Sequence, residues 1–147
     1  NSLIIESQGW RLQGDTLLVP SDRSSQFASS VLLNSWNLPF DLYVACGQQK
    51  VSQSYWRMTT RLMQQLGMGI EFWDHDFRVP RGQTVKVNQF HCEIDLSSAF
   101  AISAVAAAGG SAVLLDFPSE SIQPDSAFVG ILRSMGVPLQ QTDTKLK

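Results

Sequence analysis

Hydrophobic positions in this chain come in short runs whose spacing alternates between strand and helix. Residues 15–19, Asp-Thr-Leu-Leu-Val, predict a strand that ends in three apolar residues. From 24 to 36, Phe27, Val31 and Leu32 fall on one helical face, and Asn37-Leu38-Pro39 breaks the pattern. Residues 41–45 predict a second strand. Over 52–66, Tyr55, Met58, Thr59, Leu62, Met63 and Leu66 lie near one side of a second helix, which Gly67 stops. Residues 68–73 and 77–79 then predict a hairpin around Asp74-His75-Asp76, read as a solvated turn. The rest repeats the order: strand 90–94, helix 97–108 stopped by Gly109-Gly110, strand 111–116, helix 125–135 stopped by Gly136, and a strand starting over 137–140.

Ser24-Ser25-Gln26-Phe27 and Ser97-Ser98-Ala99-Phe100 open the first helix of each half, about 70 residues apart, the mark of one supersecondary unit used twice. The strand–helix alternation predicts an α/β (α+β) class of repeated βαβαβ(β) units, with parallel pairing inside each unit. Residues 1–82 are the first unit, 83–88 a linker, and 89–147 a second, incomplete unit. A serine at a helix start offers its hydroxyl at the positive end of the helix dipole, where a phosphate or carboxylate is favoured. The same residue is also an ordinary helix cap. Ser97 and Ser98 are read as caps. Glu93 and Asp95 alternate onto one face of the expected strand, and capping of the following helix is the reading preferred over acid/base work.

Composition narrows the class. At 44% hydrophobic and 16% charged residues, the chain can bury a core. Residues 140–147 are polar, lack periodicity and are expected to be disordered. The net charge of −2, with no Lys/Arg cluster, argues against a nucleic-acid partner. Cys46 and Cys92 sit in apolar stretches and read as buried free thiols of a reducing, cytoplasmic protein. The apolar run 99–108 is too short to span a bilayer, no signal peptide precedes it, and a start at Asn1 suggests a piece of a longer protein. His75 and His91 have no partner at metal-ligand spacing, so neither a metal nor a cofactor is expected. Trp10, Trp36, Trp56 and Trp73 are assigned to packing, and Gly9 and Gly14 form no phosphate loop.

Several stretches together resemble one family. They are Ser24-Ser25-Gln26-Phe27, Val51-Ser52-Gln53-Ser54-Tyr55, Thr59 through Leu66-Gly67-Met68, Glu93-Ile94-Asp95-Leu96-Ser97-Ser98-Ala99, Gly109-Gly110, Ser121-Ile122-Gln123-Pro124-Asp125, and Leu132 to Gly136. In order and spacing they are similar to the central portion of the EPSP synthases (3-phosphoshikimate 1-carboxyvinyltransferases), which are enolpyruvyl transferases. The resemblance implies a protein of six units, three to each globular half, with substrate in the cleft between them. Residues 15 to about 81 would be the last unit of one half, and the chain would cross to the other half near 93–95. It also implies transfer of the enolpyruvyl group of phosphoenolpyruvate to the 5-hydroxyl of shikimate 3-phosphate. By the match, Ser24, Ser25 and Ser52 would hold the phosphate of shikimate 3-phosphate, Gln26 would contact the substrates, and Tyr55 would lie against the shikimate ring.

The chain departs from the family pattern in places. Gln53 and Ser54 stand where a basic residue and Pro are common. Arg57 replaces an acidic residue, Ile94 a Gly, and Pro124 a Gly. The family's Lys-Ser motif, Gly-Asn-Ala-Gly-Thr loop and later acid/base motifs do not occur in these residues, so no catalytic residue is assigned and the chain alone is expected to be inactive. A degenerate, non-catalytic domain used for assembly and a fragment of UDP-N-acetylglucosamine enolpyruvyl transferase are the alternatives. Apolar faces are expected at Phe27, Val31, Leu62 and Met63, and at Phe100, Val105, Phe128 and Leu132. In the chain alone the two units are expected to pack on each other in a non-family arrangement, or a second copy to exchange a unit across 83–88; in the whole enzyme its remainder would be the partner.

Overall fold

The protein is described by a computed structural model over residues 4, 6, 9, 11, 12, 14–47, 52–74 and 76–147. Trp10, Val51 and His75 lie outside the described residues. Strand β1 (Thr16–Leu18) leads into helix α1 (Gln26–Leu33), which returns the chain to strand β2 (Leu42–Ala45). β1 and β2 pair in parallel, with Leu17 opposite Val44. Helix α2 (Gln53–Gln65) carries the chain to the antiparallel pair β3 (Glu71–Trp73) and β4 (Asp76–Val79). β4 inserts beside β2, so the four-stranded mixed sheet has the order β1-β2-β4-β3.

Alternation along these strands explains which face is covered. Leu42 and Val44 of β2, and Phe77 and Val79 of β4, are buried, while Tyr43 and Arg78 point the other way. Ala28, Leu32 and Met63 of the two helices pack onto the buried side with Val19, Leu38, Cys46 and Met68. On the opposite face the Arg78 guanidinium lies 5.6 Å from the Tyr43 ring centre. It donates to both carboxylate oxygens of Glu71 at 2.8 Å and to Asp41 at 2.6 Å.

Two of the expected helix stops form as Schellman closures. Gly67 adopts φ +96°, its N–H donates to the Gln64 carbonyl at 2.9 Å, and the Met68 N–H donates to Met63 at 3.0 Å. Gly136 (φ +82°) and Val137 close the later helix in the same way onto Arg133 and Leu132. Gly110 is different: its backbone is extended, so helix α3 (Leu96–Gly109) ends by straightening. α1 is shorter than the predicted 24–36. The Asn34 amide donates to the Ser30 carbonyl and the Ser35 hydroxyl to Leu32, which terminates the last turn early.

The second half departs more from expectation. Residues 90–94 are not a strand, nor are 137–140. Within 111–116 only β5 (Leu114–Leu115) forms, and it pairs antiparallel with β6 (Lys145–Leu146) rather than with a parallel neighbour. Residues 140–147, expected to be disordered, fold back instead. Gln140 and Lys147 exchange backbone bonds of 2.8 Å, and Leu146 is buried. One apolar side chain anchors a segment whose average polarity conceals it. A 3-10 turn (Pro124–Ala127) opens helix α4 (Phe128–Ser134), where a continuous helix from 125 was predicted. Residues 83–88 are fastened to the first half. The Gln83 carbonyl accepts from Asn37 at 2.8 Å, its side chain accepts from the Gly69 N–H at 2.9 Å, and the Lys86 N–H donates to Leu66 at 2.9 Å.

A second hydrophobic cluster joins Leu96, Ala99, Phe117, Phe128, Val129, Leu132 and Leu146. Met63, Phe128 and Leu132 are therefore core residues rather than members of exposed faces. α3 buries Leu96, Ala99 and Ser103, yet its other sides carry Phe100, Ile102 and Val105 in solvent. A helix apolar all round is built to be enclosed. The accessible surface of the chain is 10110 Å², against roughly 7,500 Å² for a compact protein of 16.3 kDa. Cys46 is buried as expected, whereas Cys92 is exposed beside the exposed Phe90. No helix among the described residues is long and apolar enough to cross a membrane.

Candidate functional site

The parallel pairing of β1 and β2 decides where the candidate residues meet. Each helix follows its strand, so both α1 and α2 begin at the carboxyl edge of this pair, the usual ligand edge of an α/β sheet. The helices are held in step by a 3.0 Å contact between the Ser29 and Thr59 hydroxyls. Thr59 spends its proton on the Tyr55 carbonyl at 3.1 Å, so Ser29 is the donor across the gap.

At the start of α1, the Ser24 hydroxyl accepts from the Gln26 N–H at 3.1 Å. Ser25 is buried and its carbonyl accepts from Ser29 at 2.9 Å, while its side chain caps nothing. Gln26 is exposed. At the start of α2, Ser52 adopts φ 56°, ψ 35°, a left-handed conformation unusual for a residue with a side chain, and its hydroxyl makes no capping bond. Its carbonyl receives the N–H groups of Tyr55 and Trp56. Tyr55 is exposed, and its hydroxyl donates to Asp125 Oδ2 at 3.0 Å. That bond to the carboxylate pushes the phenol pKa up. Ser24, Ser25 and Gln26 thus share one sheet edge with Ser52 and Tyr55.

The serines of the second half are not equivalent. Asp95 is the cap of α3 and accepts from the Ser97 and Ser98 N–H groups at 3.1 and 3.3 Å. Both serine hydroxyls donate to the same carboxylate, correcting the reading of Ser97 and Ser98 as caps. The protein's own anion occupies this helix start. Asp22 stands at the same place before Ser24-Ser25, but among the described residues it makes no bond to α1. Glu93 is not paired with Asp95. It accepts from the Ser121 hydroxyl and from Gln123 Nε2 at 2.9 Å. Gln123 also donates to the Ile94 carbonyl and accepts from the Leu96 N–H, tying the approach to α3 to the approach to α4. Gln123 and Asp125 went unassigned on sequence, although both lie in the Ser121–Asp125 stretch. Among the described residues no cluster of His, Cys, Asp or Glu is placed to hold a metal ion.

The hydrogen bonds from Ser98 and Ser97 hold the Asp95 carboxyl at about 2, below its ordinary 3.8. A depressed carboxylate pKa stabilises the fold above the unfolded value, and that contribution disappears as pH falls from about 4 to 2. Asp95→Asn should therefore lower the melting temperature at neutral pH and flatten its fall between about pH 4 and 2. Parallel melting curves for the two proteins across that range would contradict the assignment.

A mixed sheet with two helices starting at one edge of its parallel pair, followed by a second helical cluster, defines an α/β protein. The chain belongs to the EPSP synthase (3-phosphoshikimate 1-carboxyvinyltransferase) family, whose model matches residues 2–147. It is 35% identical over 136 residues to a pentafunctional AROM polypeptide of Malassezia globosa, covering 90% of this chain and 8% of that one. It is 30% identical over 132 residues to a 3-phosphoshikimate 1-carboxyvinyltransferase of Buchnera aphidicola subsp. Cinara cedri, covering 87% and 30%. A protein of the same description from Methanoculleus marisnigri is 33% identical over 128 residues, covering 86% and 30%. The chain thus spans less than a third of the length of these relatives.

Proposed function

We propose that this chain is part of a cytoplasmic transferase that moves the enolpyruvyl group of phosphoenolpyruvate to the 5-hydroxyl of shikimate 3-phosphate. Residues 1–82 form one unit, 83–88 a link, and 89–147 part of a unit from the other half, with the remainder of the enzyme as partner. Ser24, Ser25 and Ser52 hold the phosphate of shikimate 3-phosphate, Gln26 reaches the bound substrates, and the Tyr55 ring packs on the carbocycle.

One observation carries this reading. The starts of α1 and α2 lie at the same sheet edge, and the Ser29–Thr59 contact fixes their relative position. Two positive helix ends and three hydroxyls suit a phosphate, and an aromatic face suits a ring. The left-handed Ser52 is consistent with a side chain aimed outward rather than used as a cap. The charge stabilisation and proton transfers of the reaction need further cationic and acid/base groups, which the rest of the enzyme supplies.

Each exposed helix-end contact contributes only about 0.3–1 kcal/mol, so the chain alone should bind shikimate 3-phosphate no better than about millimolar. Amide shifts on titration should concentrate at 24–27 and 52–55, and Ser25→Ala with Ser52→Ala should abolish them. Phosphate release from phosphoenolpyruvate should stay at the background rate. Shifts centred on Ser97 and Ser98, or enzyme-dependent turnover by the chain alone, would refute the reading.

A further inference from the structure

One side of α2 presents a feature that the substrate reading does not use. Gln53, Arg57 and Arg61 recur at four-residue intervals and so share one side of the helix. With Ser54 and Met58 they line a groove of about 400 Å³ whose opposite wall is Ile122 and Pro124. The groove therefore runs between the first half and the segment that leads into α4. Ion pairs among the described residues join Arg78 to Asp41 and Glu71, and neither Arg57 nor Arg61 has an acidic partner. Asp125, the acid beside the far wall, is engaged by the Tyr55 hydroxyl.

Two like charges one turn apart repel each other, and an anion between them converts that repulsion into attraction. Guanidinium groups bind phosphate and carboxylate through paired N–H donors in a fixed plane. The apolar wall of Ile122 and Pro124 screens the groove from water on one side, which strengthens such a contact. Arg57 and Arg61 have long side chains that can close on a small ligand from two levels of the helix.

We propose that this groove is an oxyanion subsite, in which Arg57 and Arg61 clamp a phosphate or carboxylate group against the 122–124 segment. It is separate from the serine set at the helix starts. Occupancy links α2 to the second half, because the ligand touches both walls.

The test is an amide-shift titration of the 147-residue chain with inorganic phosphate and, separately, with acetate, at ionic strength held constant with sodium chloride. Saturable shifts are expected at Arg57, Met58, Arg61 and Ile122. The stronger of the two ions identifies the group. In the double variant R57Q/R61Q these shifts should fall at least fivefold, while any response at 24–27 persists. R57K/R61K, which keeps the charge and loses the planar fork, should retain a weaker response and serves as a second, folded control. Shifts that chloride alone reproduces, that survive R57Q/R61Q, or that appear only at 24–27 and 52–55 would overturn the proposal. The last outcome would leave the phosphate reading of the serines intact, so the two assignments fail separately.

Discussion

Phe77→Ala should remove about 3–5 kcal/mol of folding stability, a large share of what a small domain possesses. Phe77 is fully buried in β4, the strand between β2 and β3. Its ring centre lies 5.2 Å from that of Trp56 on α2 and 6.4 Å from that of Phe72 on β3. Val44 is its partner across the sheet. Truncation therefore leaves a cavity where α2 docks on the sheet, and the strands around it cannot collapse without breaking their ladder. Phe77→Leu keeps most of the volume and should cost much less. Urea unfolding followed by tryptophan fluorescence measures both. A loss below about 1 kcal/mol for the alanine variant would show that α2 is held by something else.

The second large effect is expected at Phe128. This residue begins α4, is buried, stacks on Phe100 at 5.5 Å and meets the edge of Phe117 at 6.0 Å. Phe128→Ala should also cost about 3–5 kcal/mol, through the same cavity and the lost ring contacts. The difference lies in where the damage is felt. Phe77 and Phe128 belong to separate clusters, joined by contacts such as the Tyr55–Asp125 bond. Amide exchange in Phe128→Ala should accelerate across α3, α4 and the β5–β6 pair, and stay close to wild type in β1, β2 and β4. Equal acceleration in both clusters would mean that the chain opens as one cooperative unit.

Features governed by local chemistry were legible in the sequence. Gly67 and Gly136 end helices because a left-handed residue is needed there, and glycine adopts that conformation without strain. Asp95 caps α3 because a short carboxylate before a helix finds its N–H groups. The common edge of Ser24, Ser25, Ser52 and Tyr55 follows from one parallel pair, and strand–helix alternation announced it. Features set by distant partners were not legible. The alternating stretch 90–94, Phe-His-Cys-Glu-Ile, looks like a strand, but no strand lies beside it among the described residues. Leu146 is one apolar residue in a polar tail, yet it seals the second cluster. The bond between Tyr55 and Asp125 spans 70 positions of chain, and no local pattern encodes it. Cys92 was misjudged because apolar neighbours do not ensure burial where the neighbours themselves face water.

The unenclosed sides of α3 bear on the thermal character of the chain. Unfolding raises heat capacity chiefly by wetting apolar groups, typically by about 12–15 cal/mol/K per residue. Ile102 and Val105 are 51% and 76% exposed in the native state, so less of their surface is newly wetted on unfolding than for enclosed residues. The share of the increment that α3 contributes is therefore smaller than that of an enclosed helix. A smaller increment broadens the dome of stability against temperature, and α3 acts in that direction. Any surface that encloses α3 would restore the missing heat capacity along with the burial.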